Sequence, residues 1–239
     1  DEIGGKYSYM RTYGYAAIFR GAFRFAVFPK QLITFNPMQY VVIRAQNNSC
    51  ELFQNEDAEK LMTITYKQYK QIVSALKSKG HAALLPVQIA YYSGLRLGEA
   101  CALTWQDIDL DNQCLTVRRS MTYDHRRKKL EVGTTKRNKI RTVDFGDTLA
   151  NILKSALVEQ ENNRKKYAEF YNRNYCLQVK DKNRIRYDLY AADGTQPLPV
   201  GHIPFDLVCT SADGRFIRPE FVDRNCHRLS KKIEGLDGF

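Results

Sequence analysis

Arg96 stands between Leu95 and Leu97, where one apolar helix closes at Gly94 and another begins. A guanidinium at such a corner needs a partner, because an unpaired buried charge is very costly. Glu99 lies three residues on, on the same helical face. Two readings stand side by side. In one, an Arg96–Glu99 pair simply holds a helix corner. In the other, Glu99 keeps Arg96 rigid and the fork of Arg96 is aimed at an anion outside, a task suited to planar donors that meet two phosphate oxygens at once. A second basic group follows in Thr134 to Lys139, which carries Lys136, Arg137 and Lys139. Eight Lys and Arg fall between Arg126 and Arg141, against one acid, Glu131. The run is either a solvated turn or a basic edge for a phosphate backbone.

These groups need a frame. Thr65 is a helix N-cap for the periodic run Tyr66, Tyr69, Ile72, Val73 and Leu76, with Gly80 as the C-terminal stop. The next helix starts near Ala82 and is apolar nearly all round, as a core helix is, with Pro86 in its first turn or at a kink. Asp107 to Asn112 reads as a turn, and a calcium loop is excluded because its glycine and terminal glutamate are missing. Strands are expected at Cys114–Val117, Leu130–Val132 and Ile140–Phe145, with the basic loop Thr134 to Lys139 forming a hairpin-like link between the last two. A long amphipathic helix runs from Asp147 to Tyr167. Phe170 to Tyr190 reads as an insertion packing on it, Phe205–Thr210 as a short strand, and Phe221–Ile233 as a last helix with Val222, Cys226, Leu229 and Ile233 on one face.

Ahead of this frame, Tyr7–Val27 has helical periodicity, with Tyr15, Ile18, Ala22, Phe25 and Ala26 as its apolar stripe and Pro29 as its end. One helix cannot bury its own stripe, so it is expected to dock on helices outside this chain or in the next domain. Arg20 and Arg24 share a face and either touch phosphates or sit in solvent. Asn36-Pro37 marks a turn, and the polar stretch Gln39 to Glu59 reads as a linker or irregular strand with a domain boundary inside it.

The whole chain of 239 residues carries 37 Lys and Arg against 26 acids, a formal charge of +11 that favours a polyanionic partner. The six cysteines form no C-x-x-C pair and the four histidines are scattered, so no zinc spacing appears. Spread cysteines suit a reducing cytosol. No apolar run approaches a membrane span. The chain starts at Asp1 without an initiator Met, which points to a start inside a longer protein.

Tyr92-Ser93-Gly94-Leu95-Arg96-Leu97-Gly98-Glu99, followed by Leu103-Thr104-Trp105-Gln106-Asp107-Ile108-Asp109, resembles the arginine box of the tyrosine recombinases, above all the phage and conjugative-transposon integrases of Gram-positive bacteria. Thr135 to Val143 is similar to their lysine-bearing hairpin, and Asn36-Pro37 to the exit of their helical core-binding domain. The resemblance implies a mainly α fold with a small antiparallel β-sheet (α+β). Residues 1–45 would be the end of a core-binding domain and the start of a linker, and 46–239 a catalytic domain incomplete at its C-terminus. It implies site-specific DNA integration and recombination for a mobile element such as a transposon, through a 3′-phosphotyrosyl intermediate and without cofactor. Arg96 would bind the non-bridging oxygens, Lys136 would protonate the leaving 5′-oxygen, and Glu99 would orient Arg96. Arg20, Arg24, Arg137 and Lys139 would contact double-stranded DNA. Self-association on DNA and a bacterial cytoplasmic, nucleoid-associated place are implied as well, with no membrane contact.

The pattern also departs from the family. The resemblance calls for a second histidine–arginine box and then a nucleophilic tyrosine. His227 has Ser230 three residues on, His125 has Lys128, and none of the 15 tyrosines follows such a box. The chain is therefore expected to stop at the threshold of its remaining catalytic residues, binding DNA without cutting it. Two other readings remain: a non-catalytic DNA-binding module that occupies recombination sites, and a basic RNA-binding or scaffold protein in which the arginine box is coincidence.

Overall fold

The computed structural model describes residues 9–43, 63–78, 80, 82–135, 139–181, 184–198 and 200–236. The chain divides into two compact units, Asp1–Leu61 and Met62–Phe239.

The first unit contains helix α1 (Tyr9–Val27) and a turn built by Asn36, whose side chain and carbonyl accept the N–H groups of Met38 and Gln39. Among the α1 residues whose side chains are described only Ala16 is buried; Ile18 is 68% exposed and Phe25 55%. Most of its apolar stripe is exposed. Of Gln39 to Glu59, residues 44–59 lie outside the described residues.

The second unit opens with α2 (Tyr66–Ser78). Thr65 caps it reciprocally: its hydroxyl accepts the Gln68 N–H, and Gln68 Oε1 accepts the Thr65 N–H at 2.9 Å. Helix α3 (Leu84–Ser93) is stopped by Gly94, whose φ of 64° suits glycine and lets its N–H reach Ala90 O. The short α4 (Leu97–Cys101) follows after Arg96, and then a single 3-10 turn, Trp105–Asp107. Strand β1 (Ile108–Asp109) pairs with β2 (Cys114–Val117), and β2 with β5 (Arg141–Asp144), all antiparallel. A second, five-stranded antiparallel sheet has the order β3 (Arg119–Asp124), β4 (Lys129–Thr134), β7 (Arg184–Ala192), β6 (Arg173–Asp181), β8 (His202–Pro204). Helix α5 (Asp147–Tyr167) and α6 (Pro219–Ser230) complete the unit.

Leu76, Ile89, Leu115, Met121, Leu149, Leu153, Leu207 and Val222 form the centre of one core beneath both sheets. Three expectations are corrected. Phe170 to Tyr190 touches α5 only near its start, where Tyr171 lies under Arg164: most of it is the β6–β7 hairpin, joined to the sheet where Glu131 pairs with Asp188 and Val132 with Tyr187. The strand expected at Phe205–Thr210 lies earlier, as β8, with Leu207 making only an isolated bridge to Thr104. The basic loop does not close a simple hairpin, since β4 pairs with β3 and β7 while β5 pairs with β2. The loop passes from one sheet to the other. The five cysteines among the described residues are free thiols.

Candidate functional site

Arg96 is the N-cap of α4, with an extended backbone, so its side chain leaves the helix at its N-terminal end. Glu99 is the third residue of that helix and returns to the cap, where its Oε2 accepts the Arg96 backbone N–H at 3.0 Å. Its Oε1 accepts Arg96 Nη1 at 3.2 Å. The corner is held from below by Gly98, which packs so tightly on β3 that a Cβ there would lie 2.6 Å from Met121 O and 2.8 Å from Ser120 Oγ.

Glu99 has a second partner. Arg141, the first residue of β5, donates Nη1 to Oε1 at 3.1 Å and Nη2 to Oε2 at 2.6 Å. Pairing of Arg141 with Val117 on β2 sets the register that delivers it there. Glu99 is only 1% exposed, whereas the Arg96 side chain is 64% exposed and that of Arg141 37%. The carboxylate is therefore buried between two cations and faces no solvent of its own. The bonds from Arg141 first, and then those from the Arg96 backbone and side chain, hold it below the usual carboxylate range against the opposing pull of burial. Arg141 is pushed up by the same bonds. Arg141 has this place without having been singled out from the sequence. The signal available was its position at the end of the basic run, two residues after Lys139.

A parallel arrangement braces the next turn. Asp107 is buried, caps Thr104 through its Oδ2, and takes Arg118 Nε at 3.3 Å on Oδ1 and Arg119 Nη2 on Oδ2. Trp105 Nε1 donates to Gln160 Oε1 at 2.6 Å, and Gln160 Nε2 donates onward to Leu207 O. Asp107 is thus structural, and Asp109 caps the following turn by accepting the Asp111 and Asn112 N–H groups.

Lys136 and Arg137 lie outside the described residues. Lys139 is exposed, and its carbonyl accepts the buried Thr135 hydroxyl across the base of the loop. The rest of the basic run is less free than its sequence suggests. Arg127 pairs with Glu131 and Asp188 at 2.6 Å each, Lys129 with Asp188 at 3.2 Å, and Arg186 with Asp124 and Glu131. Asp188 arrives from β7 and pairs with two cations of the patch, Arg127 and Lys129. In the first unit Arg20 Nη2 donates to Val41 O, and Arg24 is exposed. The site the structure assembles is thus Arg96, Glu99 and Arg141, a corner carrying one net positive charge and offering its most exposed guanidinium to solvent. Such a corner can bind an oxyanion through parallel N–H donors.

Comparison with known proteins gives this geometry its context. The model of the phage integrase family matches residues 62–197. Prophage integrase IntR of Escherichia coli (strain K12) is 37% identical over 111 residues, 46% of this chain and 26% of that protein. The Tn1549 transposon integrase, solved in complex with transposon right end DNA, has a similar fold over 95% of this chain and 60% of its own, with a TM-score of 0.56 at 16% identity. The same integrase with a circular intermediate DNA gives 0.53 at 17% identity. The chain spans about a quarter of the curated relative's length and about three fifths of the solved chains'.

Proposed function

Since this chain belongs to the phage integrase family, we propose that it serves site-specific DNA recombination, cutting and rejoining a strand through a 3′-phosphotyrosyl intermediate. A tyrosine oxygen attacks the scissile phosphorus, and its proton passes to solvent water. The bond from phosphorus to the 5′-oxygen breaks, and Lys136 protonates that oxygen. The reverse step, attack by a 5′-hydroxyl on the phosphotyrosine, reseals the strand. Arg96 binds the non-bridging oxygens and stabilises the charge that grows on them, a contribution on the order of 3 kcal/mol for one such donor. Glu99 fixes its direction. The observation that carries this reading is the exposed Arg96 fork, mounted on a helix cap whose carboxylate is itself buried and saturated.

Arg24, Lys139 and Arg137 are assigned to the sugar–phosphate backbone of double-stranded DNA, as is Arg20 through the donors it does not spend on Val41. Residues 1–45 are assigned to the end of a DNA-clamping helical domain and its linker, and 46–239 to the body of the catalytic domain. Copies of the protein associate on DNA in the bacterial cytoplasm, at the nucleoid. Among the described residues no helix is long and apolar enough to cross a membrane.

The test is covalent capture of a nicked duplex carrying the recombination site by the full-length gene product. Wild type is expected to form the adduct and Arg96→Ala to lose at least about 100-fold in rate. Capture undiminished in Arg96→Ala would remove the role given to that residue. Tight, salt-sensitive binding with no adduct from wild type would favour a non-catalytic module that occupies sites.

A further inference from the structure

The two arginines at Glu99 divide the carboxylate unequally. Arg141 gives it two terminal nitrogens, at 3.1 and 2.6 Å. Arg96 gives it a backbone N–H at 3.0 Å and a single terminal nitrogen at 3.2 Å. Four donors fill the four lone-pair directions of an ionised carboxylate. A buried carboxylate with fewer donors would draw the nearest cation in, because its desolvation is repaid only by close, multiple hydrogen bonds. Without Arg141 that cation is Arg96. Its fork would turn inward to pair bidentately, the charge of the corner would fall from +1 to 0, and the donors now facing solvent would be lost to an incoming anion.

We propose that Arg141 is a positioning residue: it saturates Glu99 so that the Arg96 guanidinium stays turned outward with its charge uncancelled. This rests on the reading of Arg96 as the phosphate-binding group. Arg141 acts through Glu99 and need not touch the DNA. It also stands at the C-terminal stem of the loop that carries Lys136, so one ion pair anchors that stem to the helix cap that carries Arg96.

The experiment is a double-mutant cycle in the full-length protein, reading the rate of covalent capture on the nicked duplex, the duplex Kd and the thermal midpoint. Arg141→Gln is expected to slow capture about 30-fold while Kd changes less than about threefold. Arg141→Lys, which keeps the charge but not the fork, should recover most of the rate. In a Glu99→Gln background, where no buried charge needs balancing, adding Arg141→Gln should cost less than about twofold. An equal loss in both backgrounds would overturn the proposal, since Arg141 would then act on substrate or on the fold directly. So would an unslowed, folded Arg141→Gln single variant. If Arg141→Gln alone does not fold, the comparison of Glu99→Gln with the double variant still decides, and a double variant that also fails to fold counts against the proposal. If wild type makes no adduct, or Arg96→Ala makes it normally, the recombinase reading fails instead. The ion-pair claim is then read on the 239-residue chain from the arginine Nε–H NMR signals: the Arg96 guanidinium should rotate more slowly in Arg141→Gln, and unchanged signals would overturn it.

Discussion

Arg141 and Glu99, forty-two positions apart in sequence, meet as a two-pronged ion pair that joins the edge strand β5 to the N-terminal turn of α4. The pair gives the helix corner a memory of where the basic loop ends, because the loop leads directly into that strand.

Stability should carry the signature of this pair in its pH dependence. The folded-state pKa of Glu99 is depressed, so its contribution is fully present above the ordinary glutamate value of about 4.3 and is lost as pH falls through the lower folded value. Urea denaturation of wild type and Glu99→Gln should differ by roughly 2 kcal/mol at pH 7, less than a fully buried pair loses because both arginines keep access to water. The gap should close as the pH falls below the ordinary glutamate value. A gap that stays constant with pH would mean the carboxylate is not held ionised by its partners.

Gly98 is required by proximity. A Cβ at 2.6 Å from the Met121 carbonyl meets backbone that cannot swing aside without moving β3. Gly98→Ala is expected to lower stability by about 1–3 kcal/mol, and to slow covalent capture by more than that loss alone explains, since Arg96 is two residues away. Chemical denaturation together with capture rates would check both halves.

Trp105 is the sole tryptophan, which makes its contact with Gln160 directly readable. Gln160→Leu leaves the indole N–H and the Leu207 carbonyl without their partner and should cost about 1–3 kcal/mol. Emission should shift to shorter wavelength as the hydrogen bond is lost. Unchanged emission and an unchanged melting midpoint would show the bridge to be unimportant.

Two lysines of similar sequence setting should behave differently towards DNA. Both are exposed, but Lys129 is paired with Asp188 at 3.2 Å. Lys139→Ala should reduce the slope of log K against log salt for duplex binding by about 0.9, and Lys129→Ala should leave it nearly unchanged. Fluorescence anisotropy at several salt concentrations distinguishes them, and equal slopes for the two variants would refute the contrast.

The helical frame was readable because its punctuation is local. Thr65, Gly80 and Gly94 each act within one turn of their own position, and each stands where a helix starts or stops. The Arg96–Glu99 contact was readable for the same reason. Arg141 was not, since nothing near it in sequence signals a carboxylate so far upstream. The β6–β7 hairpin was missed because Asp181-Lys182-Asn183-Arg184 lacks the Asn-Gly or Asp-Gly pair that marks a tight turn, and because Arg, Asp and Tyr interrupt its alternation. Asp188, which tempers the basic patch, was invisible for the same reason: it becomes a neighbour of Arg127 only after that hairpin has paired.

The short stem between Lys139 and Arg141 has a consequence for how such a gene can vary. Successive side chains of a strand alternate between its faces, so a change of length that slipped β5 by one residue along β2 would present Ile140 or Thr142 to the carboxylate in place of the guanidinium. Loops usually absorb changes of length with little harm. This one is tied at both ends, by the buried Thr135 hydroxyl bonded to the Lys139 carbonyl and by Arg141 on Glu99.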